Sequence, residues 1–349
     1  ETLINSFIQT NARVRDIFMN KKIVLGILLG IALIIVSVYN INFHETIAHI
    51  KAIDPKPAGL SLFFIVFMQV LRSYRWGVLL EPLEKVKHLS VFAVTNVGFL
   101  AICTIPARLG ELARPYLISQ ISPIRMSSAL GTIVAERALD SLAILVITVC
   151  VIMLHDLPPW MLKSAIAFFI LSALLVCFMV FVIVRQEAAL KVIGRLAGLF
   201  PDRVAKIIKN MVSHFIKGIE VIADVRRLAY LLILSAAVWL VDVGAIYALL
   251  IACGFHLPVL APFIVMIVLV AGIALPTAPG FIGNWHFACI LALGLFGIAK
   301  AQALSFALVY HFLSVAVVIV LGVVSLPFAK FSLAGMTKKI SDEGQTTNR

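Results

Sequence analysis

Six ionisable residues fall where an apolar chain has least use for them. The stretch from Asn96 to Asp140 reads in part IPARLGELARPYLI and then TIVAERALD, placing Arg108, Glu111, Arg114, Glu136, Arg137 and Asp140 inside or beside segments otherwise as apolar as a lipid-facing helix. A charge at the bilayer centre costs about 2.5–3.5 kcal/mol on insertion scales, so these groups must look into the protein. The arginines offer forked donors that suit a phosphate. The carboxylates can hold those arginines in place or exchange a proton. Glu136 and Asp140 share a helix face at i,i+4, and Arg137 reaches Asp140 at i,i+3. Two outcomes follow: a site for an anionic amphiphile, or closed ion pairs that lock helices together. So many costly groups in one neighbourhood favour the first.

The surrounding chain sets the class. It has 349 residues, 62% of them hydrophobic and only 13% charged, with a mean hydropathy of +1.08. These values lie outside the range of soluble domains and predict a polytopic membrane protein. The net charge of +12 reads as the Lys/Arg excess of positive-inside topology, with no nucleic-acid partner expected. Five cysteines in apolar segments, odd in number and without ligand spacing, read as small hydrophobes. No metal or other cofactor is expected, and no nucleotide-binding loop is present.

Six full spans are predicted: Ile23–Tyr39, Gly59–Leu80, Leu130–Leu154, Met161–Val184, Tyr230–Cys253 and Gln302–Pro327. Residues 1–22 are expected to form an interfacial helix, too polar for the core of a secretion signal. Ile41 to Pro57 reads as a polar excursion. The run LRSYRWGVLLEPLEKVKH places Arg72 and Arg75 on one helical face, with Trp76 as an interface anchor. Arg75 is either snorkelling to the interface or lining a headgroup site. Residues 185–228 predict a basic amphipathic connector on the inner leaflet, and 329–349 a disordered tail.

Two segments break the pattern. Val91–Leu117 is interrupted by Gly98, Pro106, Gly110 and Pro115, and Pro262–Ile298 by Pro276, Pro279, Gly280 and Gly283. Broken backbone at membrane depth is tolerated only where it is buried or lines a water-filled cavity, so each predicts a re-entrant helical hairpin. The breaks share a pattern, Pro106-x-x-x-Gly110 and Pro276-x-x-x-Gly280. Paired interruptions of this kind point to a transporter's binding site built on an inverted repeat. On this layout the cytoplasmic segments hold about 20 Lys and Arg and the external ones about 4, which places both termini in the cytoplasm. Asn284 and His286 follow the second break and join the expected substrate-binding residues. His286 and His311 read as hydrogen-bonded histidines, and Asp242 as a lone carboxyl in its span.

The run PARLGELARPYLI followed by AERALD, an RW near the end of the second span, and the later LPTAPGFIG resemble the flippase-like membrane domain shared with lysylphosphatidylglycerol synthases. The resemblance runs from about Ile23 to Pro327. It implies a multi-pass protein of the bacterial inner membrane, or an archaeal relative, that moves a lipid or lipid-linked headgroup between leaflets. The matching positions are Arg75, Pro106, Arg108, Gly110, Glu111, Arg114, Glu136, Arg137 and Asp140, then Pro276, Pro279, Gly280 and Gly283. Some relatives carry a carboxylate where this chain has Asn284 and His286. The lipid-aminoacylating members owe that activity to a large soluble domain, which this sequence is expected not to carry.

The expectation is therefore an all-α polytopic membrane protein of about six spans and two broken hairpins. It is expected to translocate an anionic phospholipid or a polyprenyl-phosphate-linked glycan through a polar intramembrane cavity, without itself being an enzyme. A membrane-embedded transferase is the competing reading. An accessory subunit of an envelope-synthesis complex, docked to synthesis enzymes through the basic connector, is the third.

Overall fold

A bilayer leaves backbone N–H and C=O groups no partners but one another, so long apolar runs close into helices. The computed structural model describes residues 21–104, 110–154, 159–187, 190–191, 202–274 and 279–329. Its helices there are α1 (Lys21–Val38), α2 (Phe43–Lys51), α3 (Pro55–Leu80), α4 (His88–Thr104), α5 (Ala113–Ile121), α6 (Met126–Leu154), α7 (Pro159–Val184), α8 (Asp202–Ile219), α9 (Val225–Ala252), α10 (Ala261–Ala274), α11 (Asn284–Gly294) and α12 (Lys300–Ser325). Helices α3, α6, α9, α12 and the segment Ala165–Val184 of α7 are each long and apolar enough to cross a membrane. A bent pair from α1 and α2, turning by 85°, brings the number to six. The protein is an all-α polytopic membrane protein. Pro106, Arg108 and Pro276 lie outside the described residues, as do the N-terminal segment 1–20 and the tail from 330 onward.

Where a polar excursion was expected between Ile41 and Pro57, the chain instead forms α2. Asn42 starts this helix in an extended conformation and accepts the His44 N–H on its side chain at 3.0 Å. Glu45 stands in the first turn, and His49 and Lys51 in the last, each of the sign the helix dipole favours. The preceding end of α1 is closed from elsewhere. Lys300 Nζ donates to the Val36 and Tyr39 carbonyls, both at 2.8 Å, satisfying acceptors that a helix terminus leaves free.

Both interrupted segments have one order: apolar helix, break, 3-10 turn, short helix. In the first, α4 is followed after the break by a turn over 110–112 and then α5. The returning chain is close: a Cβ on Gly110 would run into the Ala101 backbone, and one on Gly98 would fall on the Arg114 side chain. In the second, α10 is followed by the turn Pro279–Phe281 and α11. Asn284 Nδ2 reaches back to the Gly272 carbonyl at 2.9 Å.

The chain divides into two compact units. The first comprises Glu1–Val66, Phe99–Glu111 and Asp242–Ile319. Within it the second hairpin lies against α1 so closely that a Cβ on Gly283 would strike the Gly30 carbonyl, and Gly283 itself has φ 99°. The second unit comprises Phe67–Gly98, Leu112–Val241 and Val320–Arg349. Its core packs Trp76, Leu79, Val94, Leu117, Ile118 and Leu139. Helix α7 presents Ile166, Phe169, Ile170, Leu174, Phe178 and Phe181 outward, the apolar surface a lipid-facing helix needs.

Helix α8, read from the sequence as lying on the inner leaflet, is seated on α6. Ile216 and Ile219 are buried in the second unit's core, and Gly218 meets Gly131 with no side chain between the helices. Beside this crossing Arg125 Nη1 donates to His214 Nε2 at 2.6 Å, because arginine has no acceptor to offer in return. Partial burial, and then the charges of Arg125 and Lys217, lower the His214 pKa below its ordinary value. The unfolded chain therefore binds a proton more readily than the folded one. The stability this site gives is complete above about pH 6.5 and is lost as the pH falls through the lowered folded value. Thermal unfolding between pH 8 and 5 is expected to show an acid loss that His214→Asn reduces; equal slopes for both proteins would discard the assignment.

Candidate functional site

The site is assembled on α6. Glu136 lies ten residues into this 29-residue helix and Asp140 one turn further, about 15 and 21 Å from its start at 1.5 Å per residue. Both carboxylates therefore sit near the middle of a helix long and apolar enough to cross a membrane. A carboxylate there must be met by donors, and the second unit supplies them from α3 and α5. Arg75 makes a forked contact with Asp140, Nη1 to Oδ1 and Nη2 to Oδ2, and extends Nη2 to Glu136 Oε1 at 3.2 Å. Arg114 makes a second fork, with Nη2 to Glu136 Oε2 at 2.8 Å and Nη1 to Oε1 at 3.3 Å. Paired parallel N–H···O bonds of this kind fix both distance and plane. Arg75, Arg114 and Glu136 are exposed by only 1, 2 and 1%.

Neighbouring side chains complete the network. Ser235 Oγ on α9 accepts from Arg75 Nη1 at 2.8 Å, and Trp239 Nε1 donates to Asp140 Oδ1 at 3.2 Å. The Arg114 guanidinium lies over the Trp76 ring at 4.2 Å, a cation–π contact strengthened by burial. Trp76 Nε1 is anchored in turn on Thr132 Oγ1 at 3.1 Å. Gly98 leaves room for the Arg114 stem, since a Cβ there would stand 3.0 Å from Arg114 Cδ and nearer still to Cγ. Arg72 rests over Trp239 at 5.9 Å, on the same side of α3 as Arg75.

Arg137 differs from the other arginines. It reaches Asp140 Oδ2 at 3.6 Å and Glu136 Oε1 at 3.9 Å, and its side chain is 46% exposed. The i,i+3 relation expected from the sequence is present, but the contacts are long. Among the described residues the network sets three guanidinium groups, Arg75, Arg114 and Arg137, against two carboxylates, Glu136 and Asp140. Arg75 and Arg114 are closed into forks, whereas Arg137 holds the same carboxylates only at long range and from a half-exposed position.

A family described as the lysylphosphatidylglycerol synthase TM region matches residues 23–322. The chain belongs to this family. It is also similar to a UPF0104 membrane protein of Methanothermobacter thermautotrophicus, 21% identical over 328 residues that cover 89% of this chain and 96% of the relative.

In this member of the lysylphosphatidylglycerol synthase transmembrane family, the expected site residues fall into two groups. Arg75, Arg114, Glu136, Arg137 and Asp140 come together in the second unit. Glu111 stands on the turn at 110–112, in the first unit. Asn284 and His286 belong to a separate polar cluster of the first unit, built where α11 meets α12. There the Trp285 ring is 5.3 Å from both Tyr310 and His311, and His286 is 4.9 Å from His311. Asp242, read from the sequence as standing alone, accepts a hydrogen bond from Tyr310 Oη at 3.0 Å.

Two sequence readings are corrected here. Trp76 is no interface anchor: it is fully buried beneath Arg114. Arg75 does not snorkel, because two carboxylates hold it inside. The contributions of Ser235 and Trp239 were not anticipated. Their i,i+4 spacing puts both on one face of α9, a signal the apolar composition of that span obscures.

Proposed function

We propose that the protein moves an anionic lipid, a phospholipid or a polyprenyl-phosphate-linked glycan, between the leaflets of the cytoplasmic membrane. The observation that carries this reading is the half-exposed Arg137, which reaches Asp140 at 3.6 Å and Glu136 at 3.9 Å while both carboxylates are held more closely by buried arginines. A guanidinium held only by long contacts keeps forked donors to offer, and the phosphate of an anionic headgroup is the acceptor that fits them. The closed forks on Glu136 and Asp140 act as the frame, and the half-exposed Arg137 is the group that meets the headgroup phosphate. The acyl or prenyl tails stay in the bilayer. The two broken hairpins supply the backbone that rearranges as the headgroup passes. Both termini are in the cytoplasm, as the Lys and Arg distribution predicts.

The test is transfer of a fluorescent anionic phospholipid in vesicles containing the purified protein, with a zwitterionic lipid in parallel. A charge-assisted hydrogen bond contributes about 1.5–3 kcal/mol, so Arg137→Gln is expected to slow anionic transfer about tenfold or more. Arg137→Lys should retain part of the rate. Being half-exposed, Arg137 can be replaced without leaving a buried group unpaired. Anionic transfer unaffected by Arg137→Gln would remove this residue, and with it the reading of the site.

A further inference from the structure

The polar cluster of the first unit has a specific geometry of its own. His286 on α11 and His311 on α12 meet edge to face, their ring centroids 4.9 Å apart and their planes at 68°. His311 Nε2 lies 2.8 Å from the Gly280 carbonyl oxygen. A carbonyl only accepts, so Nε2 carries the hydrogen and Nδ1 keeps its lone pair. Gly280 belongs to the turn of the second hairpin, where three of four residues have left-handed backbone: Gly280 at φ 67°, Phe281 at 59° and Gly283 at 99°. For a phenylalanine that conformation is strained and persists only when its surroundings hold it. The His311 bond is one such hold.

We infer that His286 and His311 together bind one exchangeable proton, and that this proton tightens the hydrogen bond latching α12 to the turn of the second hairpin. The proton comes from water and adds to an imidazole lone pair; no other bond breaks, and one positive charge appears. On His311 it turns the Nε2–H···O bond to Gly280 into a charge-assisted one, shorter and stronger than the neutral form. A second proton is excluded, because two imidazolium ions at this separation away from water repel too strongly. The Trp285 ring, 5.3 Å from His311, is the aromatic neighbour of the cation. Asp242 accepts from the hydroxyl of Tyr310, the residue that precedes His311 on α12.

Among the described residues, these further ionisable groups lie on the elements that carry or adjoin the pair. Cys289 lies on α11, and Cys103 on α4 brings its carbonyl within 3.8 Å of where a Gly280 Cβ would stand. Glu111 is on the turn that follows α4. Helix α10 carries no ionisable side chain, and α1 has none beyond Lys22. Trp285 Nε1 is buried without a hydrogen-bond partner, which makes its ring a local reporter free of competing bonds.

Imidazolium quenches indole fluorescence, so the test uses the tryptophan emission of the protein in lipid nanodiscs, titrated from pH 8 to 4. The wild type is expected to show one quenching step that disappears in Trp285→Phe. The step should be lost in His311→Gln, which keeps an N–H donor for Gly280 but does not titrate, and should shift in His286→Phe, which keeps an aromatic ring. Hydrogen exchange over residues 279–283, corrected for its intrinsic pH dependence, should slow on acidification in the wild type only. No quenching step, or one unchanged in both histidine variants, would overturn the inference. The readouts lie in the protein and do not require lipid to be the cargo. A protein that shows the step but moves no lipid keeps the proton site and loses the proposed function. A protein that moves lipid with an exchange rate in the turn indifferent to pH loses only the latch.

Discussion

Glu136→Ala is expected to cost about 3–5 kcal/mol, among the largest single losses available in this chain, because it strands buried charge. Arg114 has both forked bonds on that carboxylate, and Arg75 has one of its own. Arg75 keeps Asp140 after the change, and Arg114 loses both bonds of its fork. Glu136→Gln retains one acceptor and should fall between. The decisive comparison is the double variant Arg114→Met, Glu136→Leu, which removes both charges and refills the space. Isosteric apolar replacement of a buried pair is often neutral, so most of the lost stability should return. Thermal unfolding in detergent measures all three. A loss below about 1 kcal/mol for Glu136→Ala would mean that water already reaches the network, since an exposed ion pair contributes no more than that. If the double variant is stable and still transfers lipid at the wild-type rate, this fork is a lock and nothing else.

The spans and the breaks were legible in the sequence because they depend on local composition. Uninterrupted apolar runs predict helices of membrane length, and the ends observed for α3, α6 and α9 fall within a few residues of those expected. Gly110 and Gly280 lie on the 3-10 turns that follow the two interruptions. The helix α2 was not legible in the same way. Its start depends on the side chain of Asn42, and polar residues such as His44, Glu45 and His49 suit a short helix as well as a loop.

The candidate site was legible as a set of residues and not as a set of partners. Spacing along α6 puts Glu136 and Asp140 on one face, and that much follows from helical periodicity. Which arginine reaches them depends on tertiary packing. Arg75 and Trp76, adjacent and near the end of a span, look like an interface pair by composition, yet both are buried and serve the same network. Gly98 read only as a helix breaker, whereas in the structure it makes room for the Arg114 stem. Asn284 and His286 were grouped with the arginines because all are polar and follow a break. The structure gives them different neighbours, with Asn284 bonded to Gly272 and His286 against His311.

Gly218→Leu is expected to be as damaging as any core change, and the reason decides between two views of α8. An amphipathic helix that lies on a lipid surface gains from an added leucine, because apolar area strengthens its hold on the interface. A helix packed backbone to backbone cannot accept one. In the structure a Cβ on Gly218 would run into the Ser128 carbonyl oxygen and stand 2.9 Å from Gly131 Cα; one on Gly131 would meet the Phe215 carbonyl. These obstacles are main chain on both sides, so no rotamer change relieves them, and overpacking costs about 1–3 kcal/mol or more. Gly218→Ala should already destabilise, Gly218→Leu should do so further, and Gly131→Leu should match it, because the two glycines share one crossing. Since α6 carries Glu136, Arg137 and Asp140, displacement of its first turns should also slow anionic lipid transfer in the Gly218→Ala protein while that protein remains folded. Unfolding curves and transfer rates for the three variants test this together. If Gly218→Leu unfolds like the wild type and binds anionic vesicles more tightly, α8 belongs to the membrane surface and the crossing at Gly131 contributes nothing to the placement of the site.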